Sequence, residues 1–227
     1  MPTALSVIAE GRYALFFSGQ PCGEERWTLE RTADGMVATG EQVMEAPHPF
    51  PNRHEYRIAL TEGWRVTGLD IAWTVGARRV NATHRADGAR WHARLESDGH
   101  TREQQGDYPP GCEVEYCTHL SNTFILAQRD FQAGGEHEFP VLRIGPPLMA
   151  VTPARMLFRC AEVGGYPGTL GRAPFKRYVL SLPPAPEAEG YSFWADADDV
   201  VLESYEGLDR TRPWMRLVEY RRGPAGA

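Results

Sequence analysis

The sequence predicts an all-β protein, an antiparallel meander with one or two short helices, and three observations carry that prediction. Turn signals recur through the first half, at Ser18-Gly19, Asp34-Gly35, Glu62-Gly63, Gly76-Ala77, Asp87-Gly88 and Asp98-Gly99. Between them apolar and polar residues alternate, as half-buried strands require. The segment from Leu69 to Leu95 reads as three strands joined by two two-residue turns, whose chemistry sets the pairing.

Tyr13, Leu15 and Phe17 mark the first strand, Trp27 and Leu29 the second, and Tyr56, Ile58 and Leu60 a later one. A three-residue loop at Thr61-Glu62-Gly63 pairs Leu60 with Trp64 and Ile58 with Val66, which places the next apolar phase on even positions. From Leu69 the phase is odd. A bulge at Gly68 reconciles the two, because glycine tolerates the backbone a bulge needs. Gly76-Ala77 has glycine first, as a type II′ turn wants, and Asp87-Gly88 is a type I′ signal. In that register Trp73 faces Val80 and then Leu95, Ile71 faces Ala82 and Ala93, and Leu69 faces His84 and Trp91. One face of this curved meander is continuously apolar. The reverse face, with Asp70, Thr83, His92, Thr74, Arg79 and Glu96, meets water.

Near the middle, His119 to Asp130 lacks Gly and Pro, spaces Leu120, Phe124 and Ile125 helically, and offers Ser121 as an N-cap. Further strands follow around Val141 to Ile144, Ala154 to Val163, Lys176 to Leu182, Tyr191 to Ala195, Val200 to Tyr205 and Trp214 to Arg221. Pro183, Pro184 and Pro186 make a stiff surface connection. With no long linker, repeat or low-complexity tract, one domain is expected over residues 1–227, its core about 10–221 and 222–227 a flexible tail.

Composition narrows the function. The 227 residues are 42% hydrophobic and 24% charged, which supports a folded core. A net charge of −6 with no Lys/Arg cluster predicts no nucleic-acid partner. The N-terminus lacks a basic and apolar export signal, and no apolar run approaches the ~18 residues that span a bilayer. A cytoplasmic location without a transmembrane segment is therefore expected, with Cys22, Cys112, Cys117 and Cys160 reduced.

No strong catalytic motif appears. Cys112 and Cys117, five positions apart, point to opposite faces of an extended strand and cannot share a metal. Cys117 and His119 share a face, but no acidic residue is identifiable to orient the histidine. Of the seven histidines, His48, His54, His92, His100 and His137 read as exposed or in loops, with no HxH or HExxH spacing, so no metal and no cofactor is predicted. Gly164-Gly165 and Gly168 are not a phosphate loop, and the acids at Asp196, Asp198 and Asp199 lack the distal glutamate of a calcium loop. His84 differs, since the register sets it on the apolar face beside Trp91. Ala82 and Ala93, flanked by Trp73 and Trp91, leave a groove on the concave surface unless something fills it.

Four segments carry a family resemblance: GEERWTLERTADGMVATGEQV (Gly23 to Val43), EYRIALTEGWRVTGLDIAW (Glu55 to Trp73), ADGARWHA (Ala86 to Ala93) and GCEVEYCTHLSNTF (Gly111 to Phe124). Over roughly residues 10–210 the chain resembles a bacterial glycolipid-binding family, a domain otherwise of unknown function. The resemblance implies an incomplete, open β-barrel like the lipoprotein-carrier fold, with a concavity capped by short helical or loop elements. It implies a lipid-like small-molecule partner, a glycolipid or other amphiphile. On that reading Trp73, Ala82, His84, Trp91 and Ala93 line the cavity, and Tyr116, His119 and Asn122 supply polar contacts at its mouth, with no catalysis. One alternative is a small-molecule hydrolase or isomerase using His119 or His84 as general base. Another is a structural module whose free edge strands pair in a homodimer.

Overall fold

The computed structural model describes residues 6–185, 190–208 and 210–223. Fifteen strands and one helix follow in order: β1 (Ser6–Phe17), β2 (Gln20–Thr32), β3 (Gly35–Met44), β4 (Asn52–Leu60), β5 (Val66–Val75), β6 (Arg78–Asp87), β7 (Arg90–Ser97), β8 (His100–Asp107), β9 (Glu113–Tyr116), α1 (Leu120–Ala127), β10 (Glu136–Gly145), β11 (Ala150–Gly164), β12 (Phe175–Ser181), β13 (Tyr191–Ala195), β14 (Val201–Tyr205) and β15 (Pro213–Arg222). They form one sheet in which β1 to β8 pair in sequence, β15 returns to the free side of β1, and β14 to β9 continue outward. The ends, β8 and β9, do not pair, so this is the open barrel expected. Among the described residues only β9, beside β10, runs parallel to its neighbour. The free β8 edge, HTREQQGD, is polar at every side chain, the composition that discourages strand addition.

Turn chemistry explains most of the register. Ser18-Gly19 (φ 51° and 77°) and Asp98-Gly99 (φ 53° and 76°) both place two residues in the left-handed region, as type I′ turns require. The β5–β6 pairing is the expected one, Leu69 with His84, Ile71 with Ala82 and Trp73 with Val80. The β6–β7 pairing corrects the sequence reading by two residues. Asp87 pairs with Arg90, so Gly88 (φ 58°) and Ala89 make the turn and Ala82 faces Leu95, His84 faces Ala93 and Ala86 faces Trp91. Glycine takes the first central position, as Gly76 does one hairpin earlier. A slip of two preserves which face each side chain occupies.

Between β4 and β5 the loop is longer than predicted, because Leu60 pairs with Val66 and not with Trp64. The change of phase is present, but the extra residue is Thr67, one before Gly68, and its hydroxyl donates to the Ala59 carbonyl at 3.2 Å. Helix α1 is also shorter than expected. Its N-cap is His119 without a side-chain cap, and the Thr118 hydroxyl accepts from the Leu120 N–H at 3.2 Å. Ser121 instead bonds both the N–H and the carbonyl of Tyr116. Every residue from Leu120 to Leu126 is buried, so tertiary packing and not an amphipathic surface holds this helix.

The helix joins two apolar clusters. Leu120 and Phe124 belong to one with Trp27, Trp73, Trp91 and Ile144, while Ile125 and Leu126 belong to a second with Phe158, Tyr178 and Phe193. At the C-terminal end Arg222 is still in β15 and the Gly223 N–H bonds the Ile8 carbonyl at 2.8 Å, so the start of the expected tail is paired strand. Residues 224–227 and Pro186 lie outside the described residues. Among the described residues no helix is long and apolar enough to cross a membrane.

Candidate functional site

The inner faces of β2, β3 and β4 converge beneath the N-terminus of α1. Alternation on β2 turns Glu25, Trp27 and Leu29 inward, and on β4 it turns His54, Tyr56 and Ile58 the same way. Gly40 on β3 pairs with both Trp27 and Tyr56. A Cβ there would lie 2.3 Å from the Tyr56 hydroxyl oxygen and 2.9 Å from the Arg26 carbonyl, so only glycine lets the tyrosine cross the strand.

Tyr56 thereby donates to Glu25 Oε1 at 2.5 Å, the Thr118 hydroxyl donates to the same oxygen, and Gln42 Nε2 donates to Oε2 at 3.2 Å. Glu25 is fully buried and has no ion pair among the described residues. The other buried glutamates differ, Glu113 pairing with Arg129 and Glu203 with Arg216. Burial raises the Glu25 carboxyl above its ordinary range, partly countered by the hydrogen bonds from Thr118, Tyr56 and Gln42. Gly40→Ala should push Tyr56 off the carboxylate and cost about 1–3 kcal/mol, read as a lower urea midpoint with an unchanged m value.

Two spaces adjoin α1 and share no lining residue. On the side of His119 and Asn122 is a small cavity of about 60 Å³, also lined by Gln42, Tyr116, Tyr191 and Trp214. On the side of Leu120, Phe124 and Ala127 is a cleft of about 520 Å³, walled by Trp27, Leu29 and Trp64. Trp64 stacks on Phe124 with ring centroids 6.0 Å apart and holds φ 66°, a strained conformation for a bulky residue. Its carbonyl accepts from Gln128 Nε2, at the end of the helix, at 3.3 Å. Arg31, Asp198, Asp199 and Arg222 put charge at the cleft's edge. A groove of about 580 Å³ over the outer face, beside Gly11, is lined by Glu10, Arg12, Glu219 and Arg221, which pair with one another as Arg12–Glu219 and Arg221–Glu10.

The structure divides the residues picked out from sequence. Trp73, Ala82, His84, Trp91 and Ala93 do share the inner face, but each is at most 6% exposed and none lines the cleft. The groove expected at Ala82 and Ala93 is filled core. Tyr108 packs edge-on to Trp91 at 5.1 Å, His54 lies 5.9 Å from Trp73, and the Met149 backbone lies against His84. His84 accepts from Trp91 Nε1 at 3.3 Å, and burial lowers its pKa to about 4. Tyr116, His119 and Asn122 do come together, at the small cavity.

His54, expected to be exposed, is buried, with Nδ1 2.9 Å from the Tyr116 hydroxyl and 3.7 Å from Cys117 Sγ. Its inward position follows from the same alternation as Tyr56 and Ile58. Glu25, Gln42, Trp27 and Trp64 were not among the site residues expected from sequence, although Trp27 marked a strand and Glu25 falls in phase with Trp27 and Leu29. Among the described residues no group of three or more His, Cys, Asp or Glu is placed to hold a metal ion.

Residues 19–169 match the family described as Putative glycolipid-binding. Two solved structures are among those of similar fold. One is a DUF1089 family protein from Pseudomonas aeruginosa, 14% identical, with 82% of this chain and 91% of that one covered and a TM-score of 0.54. The other is a β-barrel-like protein of domain of unknown function DUF1849 from Brucella abortus, 8% identical, covered over 99% of this chain and 100% of that one, with a TM-score of 0.59. No curated protein matches the sequence. At these identities the two structures speak to the fold alone.

Proposed function

Since the chain belongs to this glycolipid-binding family, we propose that it binds an amphiphile whose apolar chain lies in the 520 Å³ cleft between Trp27, Leu29, Trp64 and Phe124. The observation that carries this reading is Trp64. A tryptophan held at positive φ, stacked on Phe124 of α1 and forming a wall of the cleft, is strain retained where a ligand surface is wanted. Arg31, paired with Glu62, and Asp198, paired with Arg172 and Arg222, put donors and acceptors at the edge together with Asp199, and a hydroxyl-rich headgroup can share bonds with such pairs. The tryptophans of the meander then serve as the rigid core that backs the cleft.

The reading is non-catalytic. Burial lowers His119 to about 3 and raises the Cys117 thiol to about 12, so at neutral pH one is a poor base and the other a protonated thiol.

Dodecyl maltoside below its micellar concentration should raise the melting temperature and shift tryptophan emission to shorter wavelength, while maltose alone should do neither. Ala127, half-buried on the helix, lines the same cleft. Ala127→Trp should fill it and reduce the dodecyl maltoside affinity at least tenfold without unfolding the protein. Equal binding by the variant, or no binding by the parent, overturns the reading.

A further inference from the structure

The small cavity beside His119 is a second site, separate from the cleft, and its polar atoms are unbalanced. Three residues that line it each keep one buried polar atom without a protein partner: Gln42 Oε1, Asn122 Oδ1 and His119 Nε2. Gln42 and Asn122 are 3% exposed and His119 8%, so water at the surface does not satisfy them. Buried polar atoms without partners are uncommon, and three around one space call for an occupant.

The orientation of Gln42 is fixed by its neighbours. Its amide nitrogen donates both to Glu25 Oε2 at 3.2 Å and to the Cys117 carbonyl at 3.3 Å. Turning the amide over would set its oxygen against two acceptors, so Oε1 is the atom left for the cavity. Asn122 Nδ2 donates to the Tyr191 hydroxyl at 3.1 Å, which leaves Oδ1. Burial keeps the His119 ring neutral, so Nε2 can present a lone pair. The space thus offers three acceptors.

No lysine or arginine lines it, and the Glu25 carboxylate stands behind Gln42. Its outer wall is aromatic. Trp214, 39% exposed, packs edge-on to His119 at 5.4 Å and to Tyr191 at 5.6 Å. A carboxylate or phosphate would face these three acceptors and the Glu115 side chain, with the Tyr191 hydroxyl proton to set against them, and an alcohol would satisfy one of three. A primary ammonium carries three donors, no acceptor and a charge that aromatic rings stabilise.

We propose that this cavity binds the ammonium end of a small primary amine, with Gln42 Oε1, Asn122 Oδ1 and His119 Nε2 each taking one N–H. At about 60 Å³ the space admits the charged end and a carbon or two, the rest of the molecule leaving past Trp214. The site does not depend on the cleft being occupied, since the two share no residue.

Thermal shift with n-butylammonium chloride at pH 7, against n-butanol, sodium butyrate and tetramethylammonium chloride at equal ionic strength, tests the assignment. Butylammonium alone should raise the melting temperature. Asn122→Leu should abolish that shift, and Asn122→Asp, which keeps the shape and adds a charge, should tighten binding at least fivefold. A shift shared by tetramethylammonium, a shift retained in Asn122→Leu, or no shift in the parent, meaning water only in the cavity, overturns the proposal. If Asn122→Leu does not fold, the Asn122→Asp comparison decides alone, because a water-filled cavity gives no gain.

Discussion

Acidification from pH 7 to pH 4 is expected to unfold this protein cooperatively, because three histidines are buried in neutral form. Burial lowers His54 to about 4, His84 to about 4 and His119 to about 3, from an ordinary value of 6.5. In each case the folded pKa lies below the unfolded one. The stabilisation is therefore complete above pH 6.5 and is lost as the pH falls toward the folded value, since the unfolded chain takes up protons that the folded chain refuses. Each histidine costs about 1.4 kcal/mol per pH unit in that window, on the order of 3 kcal/mol by pH 4. Together they rival the ~5–15 kcal/mol that stabilises a typical domain. Glu25, Asp196 and Asp199 work in the opposite sense, since burial raises their folded pKa values and acidification through their windows relieves a buried charge, so the fall expected from the histidines is net of these three carboxyls.

Urea midpoints at pH 7, 6 and 5 measure the effect directly, and they should fall steadily. His84→Gln, which keeps an acceptor for Trp91 Nε1, should remove about a third of the slope. A midpoint unchanged between pH 7 and pH 5 would show that the imidazoles titrate freely in the folded protein.

The histidines also show how far a sequence reading reaches in a sheet protein. Alternation is a local property, so strands such as β13, Tyr191–Ala195, were legible to the residue. The inward face of the Trp73 and Trp91 strands was legible too. A two-residue slip at Gly88-Ala89 left that face intact because the side-chain period in a strand is two. His54 and Glu25 were in the apolar phase of their strands, yet His54 was read as exposed and Glu25 drew no reading, and only long-range partners decide whether such a polar side chain is buried. Glu25 reaches Thr118, 93 residues away, and His54 reaches Tyr116, 62 away. The cleft was the least legible feature. It depends on where α1 sits inside the open barrel and on Trp64 leaving its strand for a positive-φ loop, and no local pattern encodes either. For the same reason the groove expected at Ala82 and Ala93 was misplaced, since the residues that fill it come from Tyr108 and Met149, beyond the meander.

Glu25→Ala should destabilise the protein by roughly 2–4 kcal/mol, the largest loss expected from a single polar truncation here, because it strands three buried donors at once. The Tyr56 hydroxyl, the Thr118 hydroxyl and Gln42 Nε2 all point at this carboxylate, and none lies where water can replace it. Glu25→Gln should cost much less at pH 7. It keeps one acceptor for Tyr56 and Thr118 and removes a buried charge that has no cationic partner. It also changes what Gln42 faces, because an amide N–H at the position of Oε2 is met by the Gln42 oxygen once the amide turns, at the cost of the bond to the Cys117 carbonyl. That rotation would turn Gln42 Nε2 toward the small cavity and replace an acceptor there with a donor. Glu25→Gln is therefore expected to fold with near-parent stability while losing the butylammonium shift, whereas the Glu25→Ala loss should appear in the urea midpoint itself. Equal destabilisation by the two variants would instead mean that the negative charge, and not the acceptor geometry, holds β2, β4 and the Thr118 segment together.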